Sequence, residues 1–307
     1  MVVDVIIPVY KPGQELVDLL NSLLTQSVKP NKIILMNTEK AYFDLFLQEL
    51  NVTIDQSMVK VVHLSKSEFD HGKTRNMGVK ESTAPYFICM TQDAVPVEND
   101  FIDCLIRPLN EEKVAASYGR QLAKEGSSIA EKITREFNYP KESMVKSIDD
   151  IDRLGIKTYF CSNVCCAYNR EIFEKVGGFI NHTIFNEDMI YAATAMQNGY
   201  KIAYAADAKV YHSHNYSAKE QFHRNVDVGI SQAENPNIFA TVKSESEGKK
   251  MVITTIRKMI DSKQPLKVIP YIYLTGCKYL GFLIGKNYKK LPSGFVKRCA
   301  MNSAYLE

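Results

Sequence analysis

The chain has 307 residues, 45% hydrophobic and 24% charged, a globular composition that can bury a substantial core in one large domain with an appendage or in two small ones. Seven cysteines, an odd number without regular spacing, exclude a disulfide framework and point to reduced thiols in a cytoplasmic protein. The net charge of +3 hides an asymmetry: from Gly248 onward twelve Lys or Arg face two acids, a net of +10, so the preceding 247 residues carry −7.

Val2–Val9 is an apolar run interrupted by Asp4 and lacking a basic leader, so it reads as a buried strand rather than a signal peptide. It runs into the loop Pro8–Gly13. Leucines 16, 19, 20, 23 and 24 at helical spacing predict a helix over Glu15–Thr25. A strand follows at Lys32–Met36, a helix at Ala41–Leu50, a strand at Val59–Leu64, a helix at Thr74–Ser82 after a glycine-containing loop, and a strand at Tyr86–Met90. This alternation implies a parallel, doubly wound sheet, in which ligands bind beyond the carboxyl ends of the strands. Farther on, Phe101–Leu109 reads as a helix, Val114–Gln121 as a strand, and Ala123–Asp152 as a polar loop with helical pieces over the site. Phe160–Tyr168 reads as a strand, Glu171–Val176 as a helix stopped by Gly177-Gly178, and Glu187–Asn198 as a helix. Lys201–Ala205 and Ala208–His212 read as two strands, Gln221–Gln232 as a helix, with a boundary near 235–248. Cys161, Cys165 and Cys166 lack a second ligand pair with zinc spacing and read as core.

Four constellations can carry chemistry. Asp93, in the turn after Tyr86–Met90, either caps that turn or holds a divalent cation against a diphosphate. Asp70–Asn76 presents His71, Lys73 and Arg75 around Gly72 before a helix, a place for anions or a solvated basic loop. Glu187-Asp188 either complements a helix dipole or supplies a general base. His212 and His214, at i and i+2 after a strand, are structural or metal ligands joining Asp93.

The ordered set Ile6–Tyr10, Gly72–Asn76, Thr91–Ala94 and Glu187-Asp188 resembles the family 2 inverting glycosyltransferases of GT-A fold. Phe69–Asn76, Thr91–Ala94, Gly119–Gln121 and Tyr211–Tyr216 resemble their bacterial rhamnosyltransferase branch, over residues 2–235. The resemblance implies a Rossmann-like, mostly parallel α/β catalytic domain over 1–240 and a small helical extension over 241–307. It implies that Pro8 and Tyr10 line a nucleobase pocket, that Glu39 contacts base or ribose, and that His71, Lys73, Arg75 and Gln92 face the donor. Asp93 binds the metal–diphosphate, His212 or its rival His214 joins it, and Asp188 is the catalytic base. Arg120 and Gln121, with the Phe137–Pro140 stretch, become candidate contacts to the donor sugar or the acceptor, the other reading being ordinary strand-end and lid residues; Glu187, Gln121 and His214 become candidates on the acceptor side. Where the family has Asp-x-Asp, this chain has Thr91-Gln92-Asp93, one carboxylate fewer. Thr38 and Glu39 likewise replace a frequent acidic pair.

The implied reaction is direct displacement of a nucleoside diphosphate, with Mg²⁺ or Mn²⁺, by a hydroxyl of a cell-surface polysaccharide or polyprenyl-linked glycan. The implied donor is dTDP-L-rhamnose. The alternatives are the same fold with another nucleotide sugar, or a non-catalytic nucleotide-sugar-binding scaffold in polysaccharide assembly, which the missing carboxylate favours. Val268–Ile284 is nearly apolar but broken by Pro270, Gly276, Lys278 and Gly281, and is short beside the ~20 residues a spanning helix needs. Tyr271, Tyr273, Tyr279 and Phe282 among lysines fit an interfacial helix on the anionic inner face of the cytoplasmic membrane; the other reading is a helix docked on the catalytic domain. No nucleic-acid motif accompanies the basic charge.

Overall fold

A computed structural model describes residues 1–240, 242 and 244–306. Its first half alternates as the hydrophobic pattern requires: β1 (Val3–Tyr10), α1 (Gln14–Leu24), β2 (Lys32–Thr38), α2 (Lys40–Glu49), β3 (Val59–Leu64), α3 (His71–Lys80), β4 (Tyr86–Met90), β5 (Val95–Pro96) and α4 (Phe101–Ile106). There follow β6 (Val114–Leu122), α5 (Ile129–Asn138), β7 (Met144–Lys146), α6 (Ile151–Leu154), β8 (Cys165–Asn169), α7 (Arg170–Val176), α8 (Glu187–Gln197) and β9 (Lys201–Tyr211). The remainder is helical: α9 (Ala218–Glu234), α10 (Pro236–Phe239), α11 (Ser244–Asp261), α12 (Val268–Lys286) and α13 (Ser293–Cys299).

The sheet has the order β3-β2-β1-β4-β8-β6-β9-β5, with β7 also on β9. β1, β2, β3 and β4 pair in parallel, as do β6 and β9. β8 runs antiparallel to both neighbours, so the sheet is mixed. That reversal has a use: the start of β8 lies at the same edge as the carboxyl ends of β4 and β6. Both faces are apolar, with Val5, Ile7, Ile33 and Leu35 in one core and Ile6, Ile34, Phe87 and Tyr168 in the other. Asp4 is tolerated in β1 because its carboxylate oxygens accept bonds from Asn31 Nδ2 (3.0 Å) and the Ser82 hydroxyl (2.7 Å), so the buried group is hydrogen-bonded.

Several elements depart from expectation. The strand expected at Phe160–Tyr168 is confined to β8, because residues 160–164 bend across the sheet edge toward α8. The two strands expected at 201–212 are one, β9, whose register against β6 shifts at Gly119/Arg120. The polar stretch 123–152 holds a full helix, α5, and a strand, β7.

The C-terminal region is tied to the rest of the chain. α12 lies along α9 with glycines at the contact: a Cβ on Gly285 would fall 2.0 Å from the Val226 carbonyl oxygen, and one on Gly281 2.3 Å from that of Phe222. Asp227 accepts from the Met301 and Asn302 amides (3.0 and 3.1 Å), and the Tyr288 and Tyr305 hydroxyls donate to Glu234 (2.9 and 2.7 Å). The expected boundary at 240/241 touches residue 241, which lies outside the described residues. Pro265–Lys286 is long and apolar enough to cross a membrane by length and composition alone, yet one long face of it packs on α9. On the other side Leu266, Ile269, Ile272, Tyr273 and Leu280 are exposed. Tyr271, expected at an interface, is instead buried with Ile133 and Met259.

Candidate active site

β4, β6 and β9 deliver Asp93, Gln121 and His212 to one edge of the sheet, where α3, α8, α5, α9 and α12 help enclose a cavity of about 420 Å³. The start of α3 differs from expectation. Asp70 is its N-cap: Oδ1 accepts from the Gly72 and Lys73 amides (2.9 and 2.8 Å), so the helix begins at His71 rather than Thr74. Those amides are therefore already bonded and are not an open anion cradle. Asp70 Oδ2 also accepts from Thr183 N (3.0 Å), and Asn76 donates to the Phe179 carbonyl (2.8 Å) and accepts from its amide (3.1 Å). Gly72 permits this clasp, since a Cβ there would fall 1.8 Å from the Ile180 carbonyl oxygen. The motif thus fastens α3 to the segment leading into α8.

That fastening brings Arg75 to Glu187. Arg75 Nη1 lies 3.1 Å from Glu187 Oε1 and donates to the His71 carbonyl (2.8 Å), and both side chains are buried. Arg75 was expected to face the donor and Glu187 the acceptor; both line the cavity, but they bond each other, Asn163 Nδ2 adds a bond to Glu187 (3.0 Å), and Arg75 Nε is buried without a partner among the described residues. Burial pushes the Glu187 carboxyl upward, but the charges of Arg75 and His71 outweigh it and hold the group below its ordinary value. Its neighbour behaves oppositely. Burial, then the Glu187 charge, raise Asp188 to about 7, against bonds from the Asn163 amide (2.9 Å to Oδ2) and the Met189 amide (2.8 Å to Oδ1). Adjacent carboxylates driven apart in this way take different tasks: Glu187 stays ionised and structural, while Asp188 can exchange a proton near neutrality.

Across the cavity, His212 and His214 present Nε2 at 3.6 and 3.3 Å from Asp93 Oδ2, with the two Nε2 atoms 3.0 Å apart. Gln121 was expected at the acceptor, but its Oε1 lies 2.9 Å from His212 Nδ1. With Nδ1 as the donor of that bond, the Nε2 lone pair points toward Asp93, which is how an outer hydrogen bond orients a ligating imidazole. Burial, more than Asp93 offsets, lowers His212 to about 3, and burial lowers His214 too, so both rings are neutral near pH 7. A carboxylate oxygen and two ring nitrogens, all within 4.8 Å of one another, fit a divalent cation. His214 offers a third donor atom where Thr91 lacks a carboxylate.

Pro8, Tyr10, Glu39, Lys73, Gln92 and Arg120 lie outside this cavity. Gln92 pairs with the backbone of Tyr10 through both side-chain atoms (2.9 and 3.0 Å), joining the ends of β1 and β4 and holding the exposed Tyr10 ring edge-on to Tyr42. Glu39 accepts from the Lys66 amide (2.6 Å), Lys73 faces solvent, and Arg120 Nε is buried without a hydrogen-bond partner among the described residues. Sequence reasoning missed Asn163, Arg135, Arg224 and Lys278, all of which line the cavity. For Lys278 the signal was present, a lone lysine within an apolar helix.

A family model described as Glycosyl transferase family 2 matches residues 4–177. The chain belongs to that family. This family 2 glycosyltransferase is 34% identical over 307 residues to the O-antigen chain rhamnosyltransferase RfbN of Salmonella typhimurium, covering 99% of this chain and 96% of the relative. It is 38% identical over 247 residues to the O-antigen chain rhamnosyltransferase WbaN of Salmonella anatum, covering 80% and 78%. Among solved structures, the Pyrobaculum calidifontis mannosyltransferase PcManGT in complex with GDP-Man and Mn²⁺ superposes with a TM-score of 0.61 at 12% identity, over 94% of this chain and 88% of that one. Staphylococcus aureus TarS 1–349 gives 0.53 at 16%, over 94% and 92%. At such identities the likeness concerns the fold, and it agrees with the GT-A architecture of the glycosyltransferase.

Proposed function

We propose that this chain is an inverting transferase that moves L-rhamnose from dTDP-L-rhamnose to a hydroxyl of a growing cell-surface polysaccharide or polyprenyl-linked glycan. The observation that carries the chemistry is Asp188, a cavity carboxylate raised to about 7 beside one that stays ionised. Asp188 takes the proton of the acceptor hydroxyl, whose oxygen forms the new bond to the anomeric carbon as the bond to the nucleoside diphosphate breaks. The leaving group keeps that electron pair. Glu187, matched by Arg75, holds the charge that keeps Asp188 basic. Asp93, His212 and His214 would hold Mg²⁺ or Mn²⁺, which neutralises diphosphate charge when bound. Pro8, Tyr10 and Glu39 lie outside the cavity at the ends of β1 and β2, and on this reading they would take the base and ribose. The names of the two Salmonella relatives support the sugar and the polymer. The scaffold alternative loses its motive because His214 stands in for the missing acid.

A thermal-unfolding screen of nucleotide sugars, with and without Mn²⁺, tests the donor. dTDP-L-rhamnose far above its Kd should stabilise by a few kcal/mol (about 2.7 at a hundredfold excess), more with the cation than without it. Stabilisation by UDP- or GDP-sugars alone would sink the rhamnose reading.

The outward face of α12 supports peripheral binding at an anionic lipid surface. Ile269, Ile272, Tyr273 and Leu280 form one stripe, flanked by Lys263 and Lys267 at one end and Lys286, Lys289 and Lys290 at the other. Co-sedimentation with phosphatidylglycerol vesicles should be lost in an Ile269→Glu/Leu280→Glu variant. Retention of binding by that variant would rule the stripe out.

A further inference from the structure

We infer that Lys278 of α12, with Arg224 of α9 and Arg135 of α5, forms a diphosphate-binding wall of the cavity, so that the C-terminal helix is part of the transfer site. The inference rests on the glycosyl-transfer reading above. Lys278 is the one charged residue of α12 before its last position, and it lies on the face turned to α9 rather than among the exposed apolar side chains. Among the described residues its amine has no hydrogen bond or ion pair. Burial disfavours its charge, Arg224 and Arg135 add to that, and only Glu131 opposes them. Glu131 is itself engaged with Arg135 Nε at 2.7 Å. Arg224 has no carboxylate partner among the described residues; its guanidinium stacks over Phe185 at 4.5 Å and Tyr216 at 5.7 Å.

Three cations facing one enclosed space with a single engaged acid between them make a site for an anion. Its position defines which anion. The charges of Arg224 and Arg135 both act on His214, so the wall stands beside the Asp93–His212–His214 group, where phosphate oxygens bound through a cation would lie. Arg135 is already bonded through Nε to Glu131 and through Nη1 to Gln121 Oε1, so the Arg224 fork and the Lys278 ammonium are the groups left to take diphosphate oxygens, with the Arg135 charge beside them. A lysine serving only solubility would reach outward as Lys267 and Lys286 do, and a residue serving only packing would be apolar. The glycine contact along α9 fixes the amine in place, because α12 cannot move off without breaking backbone-to-backbone packing.

Diphosphate chemistry has two sources here, the nucleotide donor and a polyprenyl-diphosphate acceptor, and one set of measurements separates them. Calorimetry on the full chain with dTDP and with thymidine should show Lys278→Met weakening dTDP roughly tenfold, with thymidine unchanged and Lys278→Arg restoring most of the loss. If dTDP affinity holds but the KM of a diphosphate-linked acceptor rises, and that of a phosphate-free analogue does not, the wall serves the acceptor. If neither changes, the inference is overturned. Arg224→Gln, on a different helix, gives the same comparison should Lys278→Met fold poorly. Wild-type protein that binds no nucleoside diphosphate would instead sink the underlying transferase reading, so the two failures are distinguishable.

Discussion

The α3–α8 corner and the α5–α9–α12 wall both line the cavity and both are rich in charge, but they are finished differently. In the corner, Arg75 Nη1, Glu187, Asn163 and the His71 carbonyl bond one another, and although Arg75 Nε is buried without a partner among the described residues, the two charges are matched inside the protein. On the wall, Lys278 and Arg224 have no ionic partner among the described residues. Charges completed inside the protein set geometry and the pKa of a neighbour; charges left incomplete toward a cavity await a substrate.

The contrast can be broken by experiment. The largest effect should come from Asp188→Asn, which removes the group that the corner tunes. Turnover is expected to fall by about 10²–10⁴ while donor affinity is retained, read by product formation alongside calorimetry. Undiminished turnover would remove the base assignment. Arg75→Met leaves Glu187 buried and uncompensated, and chemical denaturation should show a loss of about 3–5 kcal/mol. Arg224→Gln should change stability by no more than about 1 kcal/mol, because its charge completes nothing internal. Equal losses in the two variants would erase the distinction between corner and wall. Next, kcat/KM should fall with unit slope as pH drops below about 7, as Asp188 takes up its proton, and the Asn variant should lack that limb. The smallest effect is on stability. Asp188 has a folded pKa above its unfolded one, so its ionisation weakens the fold increasingly from the ordinary carboxylate range up through pH 7. Asp188→Asn should therefore unfold at a slightly higher temperature than wild type at pH 8 and at the same temperature near pH 3.5.

How much of this could be read from residues depends on the range of the forces involved. The β1–β4 half was visible because buried parallel strands are apolar along their whole length and their helices repeat at 3.6 residues. Asp93 and Asp188 stood out as acids closing or opening such elements. Direction was not visible in β8: Cys165–Asn169 is apolar in either orientation, and only its pairing with β4 and β6 fixes it. Asp70 carried a helix-cap signal that was read as part of a ligand loop. Telling the two apart needed Thr183, 113 positions away, on its other oxygen. The roles of Gln121 and Glu187 were hidden for the same reason, since each is defined by a partner remote in the chain.

The glycine seam between α9 and α12 sets a height. Lys278 and the Ile272–Leu280 stripe lie on opposite sides of one helix that can neither roll nor lift, so they stand about 10 Å apart, one helix thickness. On a lipid surface α12 would act as a rigid spacer and hold the transfer chemistry at a constant short distance above the headgroups. The length of glycan between a lipid anchor and its reacting hydroxyl would then be selected by the thickness of a helix.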